Sequence, residues 1–142
     1  MKNRPFALAQ LTTTALTGLA SLLLLAERFW MARIFWQSGP AKIKGWGDTV
    51  HLFASDYHVP VIPPVLLSYA ATAVEMVCPV LLVFGLASRL AVVPMLIITL
   101  AIELTYTSHP DHAVWAMLLG TILCFGPGKL SLDHWLKRRH GG

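Results

Sequence analysis

Charge is scarce in this sequence. Asp, Glu, Lys and Arg together make up 13% of its 142 residues, hydrophobic residues make up 56%, and the mean hydropathy is strongly positive. That balance excludes an ordinary soluble domain. Cysteine is nearly missing. Cys78 and Cys124 are the only two, and neither belongs to a Cys-x-x-Cys pair, which argues against a thiol-disulfide enzyme working through its own cysteines. Both are expected to pack as small apolar side chains. A phosphate-cradling glycine loop and a Ser-His-Asp set are also lacking, so the chain carries no self-contained catalytic apparatus. The net charge of +4 does not point to nucleic acid, because the basic residues are neither gathered on one face nor interleaved with aromatics.

What the sequence does contain is long apolar runs separated by short polar punctuation, the pattern of membrane spans. The expected fold is all-α: a polytopic four-transmembrane-helix bundle, with a short interfacial helix between spans one and two. The spans are expected at about 19–38, 64–84, 89–107 and 110–125, with residues 1–18 a cytoplasmic or interfacial segment and 129–142 a basic cytoplasmic tail. The apolar stretch from Phe6 to Trp36 is too long for one perpendicular crossing, so a break is expected near Gly18 and Thr12-Thr13-Thr14. In the alternative placement span one is Phe6 to Ala26, and Glu27 to Ile43 lies at the outer surface. Gly39-Pro40 reads as the end of the first span, Gly85 as the stop of the second, and Pro110 as the start of the fourth.

Between spans one and two, Trp46, Val50, Phe53 and Tyr57 recur at helical spacing, as in a short helix lying at the membrane surface. Lys2 and Arg4 precede the first run, Arg89 follows the second, and Lys129, Lys137, Arg138 and Arg139 follow the last. The positive-inside rule then places both termini in the cytoplasm, with Lys42 and Lys44 counting weakly against. Ala26-Glu27-Arg28 offers no small-x-small signal-peptidase site, so the first run reads as a retained span. The tryptophans mostly sit near span ends, as interface anchors.

Ionisable groups inside a span cost a few kcal/mol on insertion scales and are where function is sought first. Five are candidates for an intramembrane polar site: Glu27, Arg28 and Arg33 in span one, Glu75 in span two and Glu103 in span three. Counted from Gly39 and Pro64, Arg28 and Glu75 each lie about 16 Å below the outer ends of their helices; Arg33 and Glu103 each lie about 9 Å deep. Two ion-pair layers are therefore expected, Arg28 with Glu75 and Arg33 with Glu103, leaving Glu27 over. Ser68, Ala71, Thr72, Glu75, Cys78 and Pro79 form a small, polar stripe suited to close helix approach. Thr99, Glu103, Tyr106 and Thr107 form a second. These layers either lock helix register or line a cavity for a quinone headgroup, a proton or a small ligand. His51, His58, His109 and His112 fall on the outer side, but none has the spacing of a recognised metal site, so no metal is expected.

From about residue 22 to 136 the chain resembles the DoxX family of small four-helix membrane proteins. The resemblance rests on Arg28, Phe35-Trp36-Gln37-Ser38-Gly39 and Lys42, then on Leu52-Phe53 with Tyr57, Pro60, Pro63 and Pro64 in the outer connection. It continues through Ala73, Glu75, Pro79 and Leu81 to Arg89, and closes with His112, Trp115-Ala116 and Gly126 to Asp133. Glu103 departs from it, since similar sequences tend to carry a neutral polar residue there. The resemblance implies an accessory subunit, in the bacterial cytoplasmic (inner) membrane, of a redox or oxidative-stress and metal-handling system, with a protein partner and the lipid bilayer as surroundings. The alternative is a non-catalytic scaffold or assembly factor. Four short helices without a repeat leave little room for a transporter's alternating access, and a bundle of this size leaves surface for self-association.

Overall fold

The computed structural model describes residues 4–57, 62–105 and 110–140, and every regular element among them is helical. In chain order these are α1 (Arg4–Lys44), α2 (Trp46–Ser55), α3 (Pro64–Phe84), α4 (Ser88–Thr105), α5 (Pro110–Phe125) and α6 (Leu132–His140). His58, Pro60, Tyr106, Thr107, His109 and Lys2, all singled out above, lie outside the described residues.

The first helix differs from expectation. It is a single element of 41 residues, about 60 Å at helical rise, without the break expected ahead of residue 19. Gly18 and the threonines do not break it; Thr13, Thr14 and Thr17 return their hydroxyls to carbonyls three or four residues back in the same helix. Nor does Gly39-Pro40 end it: Pro40 lies inside the helix, which continues to Lys44. The described side chains from Gln10 to Ala20 are exposed, and Ser21 is the first buried one.

The short helix expected after span one is α2, with Thr49 and Phe53 buried against the rest. The second boundary also falls as the glycine signal implied. Gly85 takes φ +66° and closes α3 with amide bonds from Gly85 to Leu82 O and from Leu86 to Leu81 O, the paired bonds of a Schellman motif. The basic tail is helical from Leu132 to His140 and is tied to the α3–α4 turn. The Asp133 amide donates to Gly85 O at 2.9 Å, and its carboxylate accepts the amides of Ala87 and Ser88 at 2.8 and 3.1 Å, capping α4 from the far end of the chain.

α1 packs on α3 and α5, α3 on α4, α4 on α5, and α2 on α3. Met31, Phe35, Leu82, Val92, Met95, Leu119 and Ile122 form the core where α1, α3, α4 and α5 meet. Cys78 is buried there, whereas Cys124, expected to be buried, is exposed. Outward faces are apolar too, as at Leu22, Trp30, Leu66, Leu104 and Phe125. Among the described residues, Thr12–Lys44 and Pro64–Phe84 are long and apolar enough to cross a membrane, and Pro110–Phe125 is apolar but shorter.

A Cβ added at Gly85 would lie 2.6 Å from Ser131 Cβ and 2.9 Å from Arg28 Nη2, on a backbone that L side chains rarely adopt. Gly85→Ala is expected to lower the unfolding free energy by about 2–3 kcal/mol, measured by circular dichroism during denaturing-detergent titration. Gly120→Ala, where nothing approaches the added atom, serves as the control and should hold or gain stability. A G85A protein as stable as the parent would contradict this packing.

Candidate functional site

Two costly groups organise the molecule, and neither has the partner expected for it. Arg28 is 1% exposed. Its guanidinium donates from Nε to Leu82 O at 2.8 Å, from Nη2 to Val83 O at 2.9 Å, and from Nη1 to Pro127 O and Leu130 O, both at 2.8 Å. Four of its five donors are thus met by backbone carbonyls. Leu82 and Val83 belong to the last turn of α3, where Leu82 O also accepts the Gly85 amide, and the cation suits the negative end of the helix dipole. Arg28 is a clamp at the α3 terminus, not the partner of Glu75.

Glu75 pairs instead with Lys42. The ammonium donates to Glu75 Oε1 at 2.7 Å, to Oε2 at 2.8 Å and to Ser38 Oγ at 2.7 Å, using all three of its hydrogens. The Glu75 side chain is 3% exposed and that of Lys42 17%. Gly39 lies beside the pair, where an added Cβ would meet Glu75 O at an ordinary contact distance of 3.4 Å and Met76 Sδ at 2.8 Å, so that the Met76 side chain would have to move aside. The expected pairing failed because depth was counted from Gly39 as a helix end. With α1 continuing to Lys44, Ser38 and Lys42 stand one turn apart on the face that also carries Met31 and Phe35.

The second expected layer is likewise replaced. Glu103 Oε2 lies 2.9 Å from Nδ1 of His112, which is buried and stacks edge-on against Trp115. Arg33 is exposed in an apolar groove with Phe29, Trp36, Val80 and Phe84, and makes no ion pair among the described residues. Glu27 is half-buried, with its Oε2 enclosed and without a hydrogen bond. Tyr57 is buried and stacked on Phe53 at 4.9 Å. No group of three or more His, Cys, Asp or Glu side chains among the described residues could hold a metal.

The Lys42–Glu75 pair stands at the edge of a cavity of about 380 Å³ between α2, α3 and α4. Its walls are apolar: Phe53, Leu67, Val74, Ile98 and Ile102 surround it, with Tyr57 at the α2 end. Ile97, 61% exposed, and Ile62 lie on its rim, so it opens sideways between α3 and α4. A single polar end in an apolar chamber of this size suits an amphipathic molecule whose head accepts or donates hydrogen bonds. Neither a nucleophile with its base nor a redox-active pair lines it.

Lys42 is the residue that span counting missed. The signal available was its spacing of four from Ser38, legible only if the helix is carried through Pro40. Comparison with known proteins supports one assignment: the DoxX family model matches residues 23–110. No curated protein and no solved structure matches the chain.

Removing one member of a buried pair strands the other. Lys42→Met is expected to cost about 3–5 kcal/mol, and Lys42→Met with Glu75→Met appreciably less, because the pair's desolvation is then relieved. Denaturing-detergent unfolding of both singles and the double measures the coupling, and additive losses would contradict the pairing.

Proposed function

This chain belongs to the DoxX family and is a membrane protein, and from that premise we propose an accessory subunit of a membrane redox or oxidative-stress system that holds a quinone headgroup beside Lys42 and Glu75. In this reading α1, α3, α4 and α5 cross the bacterial inner membrane as a four-helix bundle, with α2 at the outer surface and α6 in the cytoplasm. The apolar outward faces support it. So does the basic character of α6, with Lys137, Arg138 and Arg139 near the chain's end.

The observation that carries the ligand is the cavity itself. Its apolar walls fit a ring and the start of an isoprenoid tail, its sideways opening faces where lipid would stand, the Glu75 carboxylate supplies an acceptor for a hydroxyl group, and Lys42 supplies a donor for a carbonyl on giving up its bond to Ser38. The bound molecule would be positioned by this chain, and the electrons would belong to the partner. A cavity of this kind reached from the membrane needs no alternating access.

The alternative is a scaffold that anchors a partner without binding a small molecule. It draws on the exposed stretch from Thr12 to Ala20 and on the exposed Trp135, which carries Arg139 over its ring at 5.3 Å.

Mild-detergent purification from the host, with lipid extraction and mass spectrometry, separates the two. Quinone is expected to copurify together with a redox protein. Ala101→Phe, which places a ring in the cavity, should lower bound quinone at least tenfold while helicity is retained. A protein partner recovered without quinone from the parent protein would favour the scaffold and overturn the ligand.

A further inference from the structure

At the opposite end from Glu75, a second cavity of about 480 Å³ lies between α1, the α3–α4 turn, the segment after α5 and α6. Its lining is cationic. Arg89, Lys129 and Lys137 contribute to it, with His134 beside them. Asp133 is the acidic residue there, and its two oxygens are already engaged by the amides of Ala87 and Ser88. Arg89 gives one Nη2 hydrogen to Cys124 O at 3.1 Å and has its other donors left over. Lys129 and Lys137 have no ion-pair partner among the described residues.

The Arg28 clamp adds main-chain donors to these charges. In a trans peptide the N–H points opposite the C=O. Because the Pro127 and Leu130 carbonyls point at the guanidinium, the following amides, those of Gly128 and Ser131, point away from it, and both residues line this cavity. Neither amide makes a hydrogen bond among the described residues. Unpaired cationic side chains beside free main-chain amides are the donors an oxyanion requires.

We propose that this cavity binds the phosphate headgroup of an anionic phospholipid. The lipid source is favoured over free phosphate by the walls. Leu90 and Phe125, each 75% exposed, belong to the lining and lead from the charged end onto the apolar outer faces of α4 and α5, where acyl chains would lie. The inference rests on the membrane-crossing reading of those helices and is independent of the quinone cavity. The bound lipid ties the folded-back α6 to the helix ends and makes the position of the tail depend on membrane composition.

The test is native mass spectrometry of the full chain, purified in neutral detergent, with added phosphatidylglycerol or phosphatidylcholine. Phosphatidylglycerol adducts should persist where phosphatidylcholine adducts do not. In the Lys129→Gln, Lys137→Gln double variant they should weaken on the order of thirtyfold, each charge being worth roughly fivefold at an anionic headgroup, and Lys129→Arg, Lys137→Arg should restore them. Equal retention of the two lipids, or no loss in the glutamine variant, would overturn the site. Displacement of the adduct by millimolar inorganic phosphate would overturn the lipid source. Carbonate-washed membranes keep the membrane premise separate: recovery of the chain in the soluble fraction would remove that premise and this proposal together.

Discussion

A guanidinium buried to 1% exposure cannot stand without acceptors, and the way Arg28 finds them governs the rest of the molecule. Among the described residues no carboxylate forms an ion pair with it. It gathers carbonyls from the end of α3, where Leu82 O also accepts the Gly85 amide, and from the segment between α5 and α6. One side chain from the middle of α1 thus ties together three parts of the chain distant in sequence. Gly85 has to be glycine partly because the guanidinium occupies the space its Cβ would need. Asp133 then extends the junction to the start of α4, so that α6 becomes part of the fold.

The clamp also sets the register of α1 on α3. With Arg28 held at the last turn of α3, the antiparallel run of α1 brings Gly39 against Met76 and Lys42 against Glu75. The polar head of the cavity is therefore placed by an interaction about two helical turns further along α3. That separation gives the molecule two chemically distinct ends. One is an ion pair facing an apolar chamber; the other is a cationic cluster facing the charged edge of the helices.

Much of this was legible in the residues. Apolar runs bounded by Pro64, Gly85, Pro110 and Gly126 marked three helices to within a few positions, because the breakers act locally. The cost of burying charge singled out Arg28 and Glu75. Their partners were not legible. Backbone carbonyls carry no residue signature, so a search among acidic side chains could not find the acceptors of Arg28. Pro40 was read as an end, although a proline within a long helix can be accommodated when neighbouring packing holds the chain, and that single boundary displaced every depth counted from it. Glu103 and His112 lie nine positions apart across a helix connection, a pairing that spacing rules within one helix do not reach.

Which cation faces Glu75 fixes the register of α1 on α3. Solid-state NMR of the chain in lipid bilayers, with ¹⁵N at the lysine side chains or at the arginine guanidinium groups and ¹³C at the glutamate carboxylates, measures this by dipolar recoupling. The structure, with Lys42 Nζ 2.7–2.8 Å from both Glu75 oxygens, predicts strong dephasing of the Glu75 carboxylate by lysine nitrogen that is lost in Lys42→Met. Dephasing of that carboxylate by arginine nitrogen, with none by lysine, would contradict the clamp, the register and the site together.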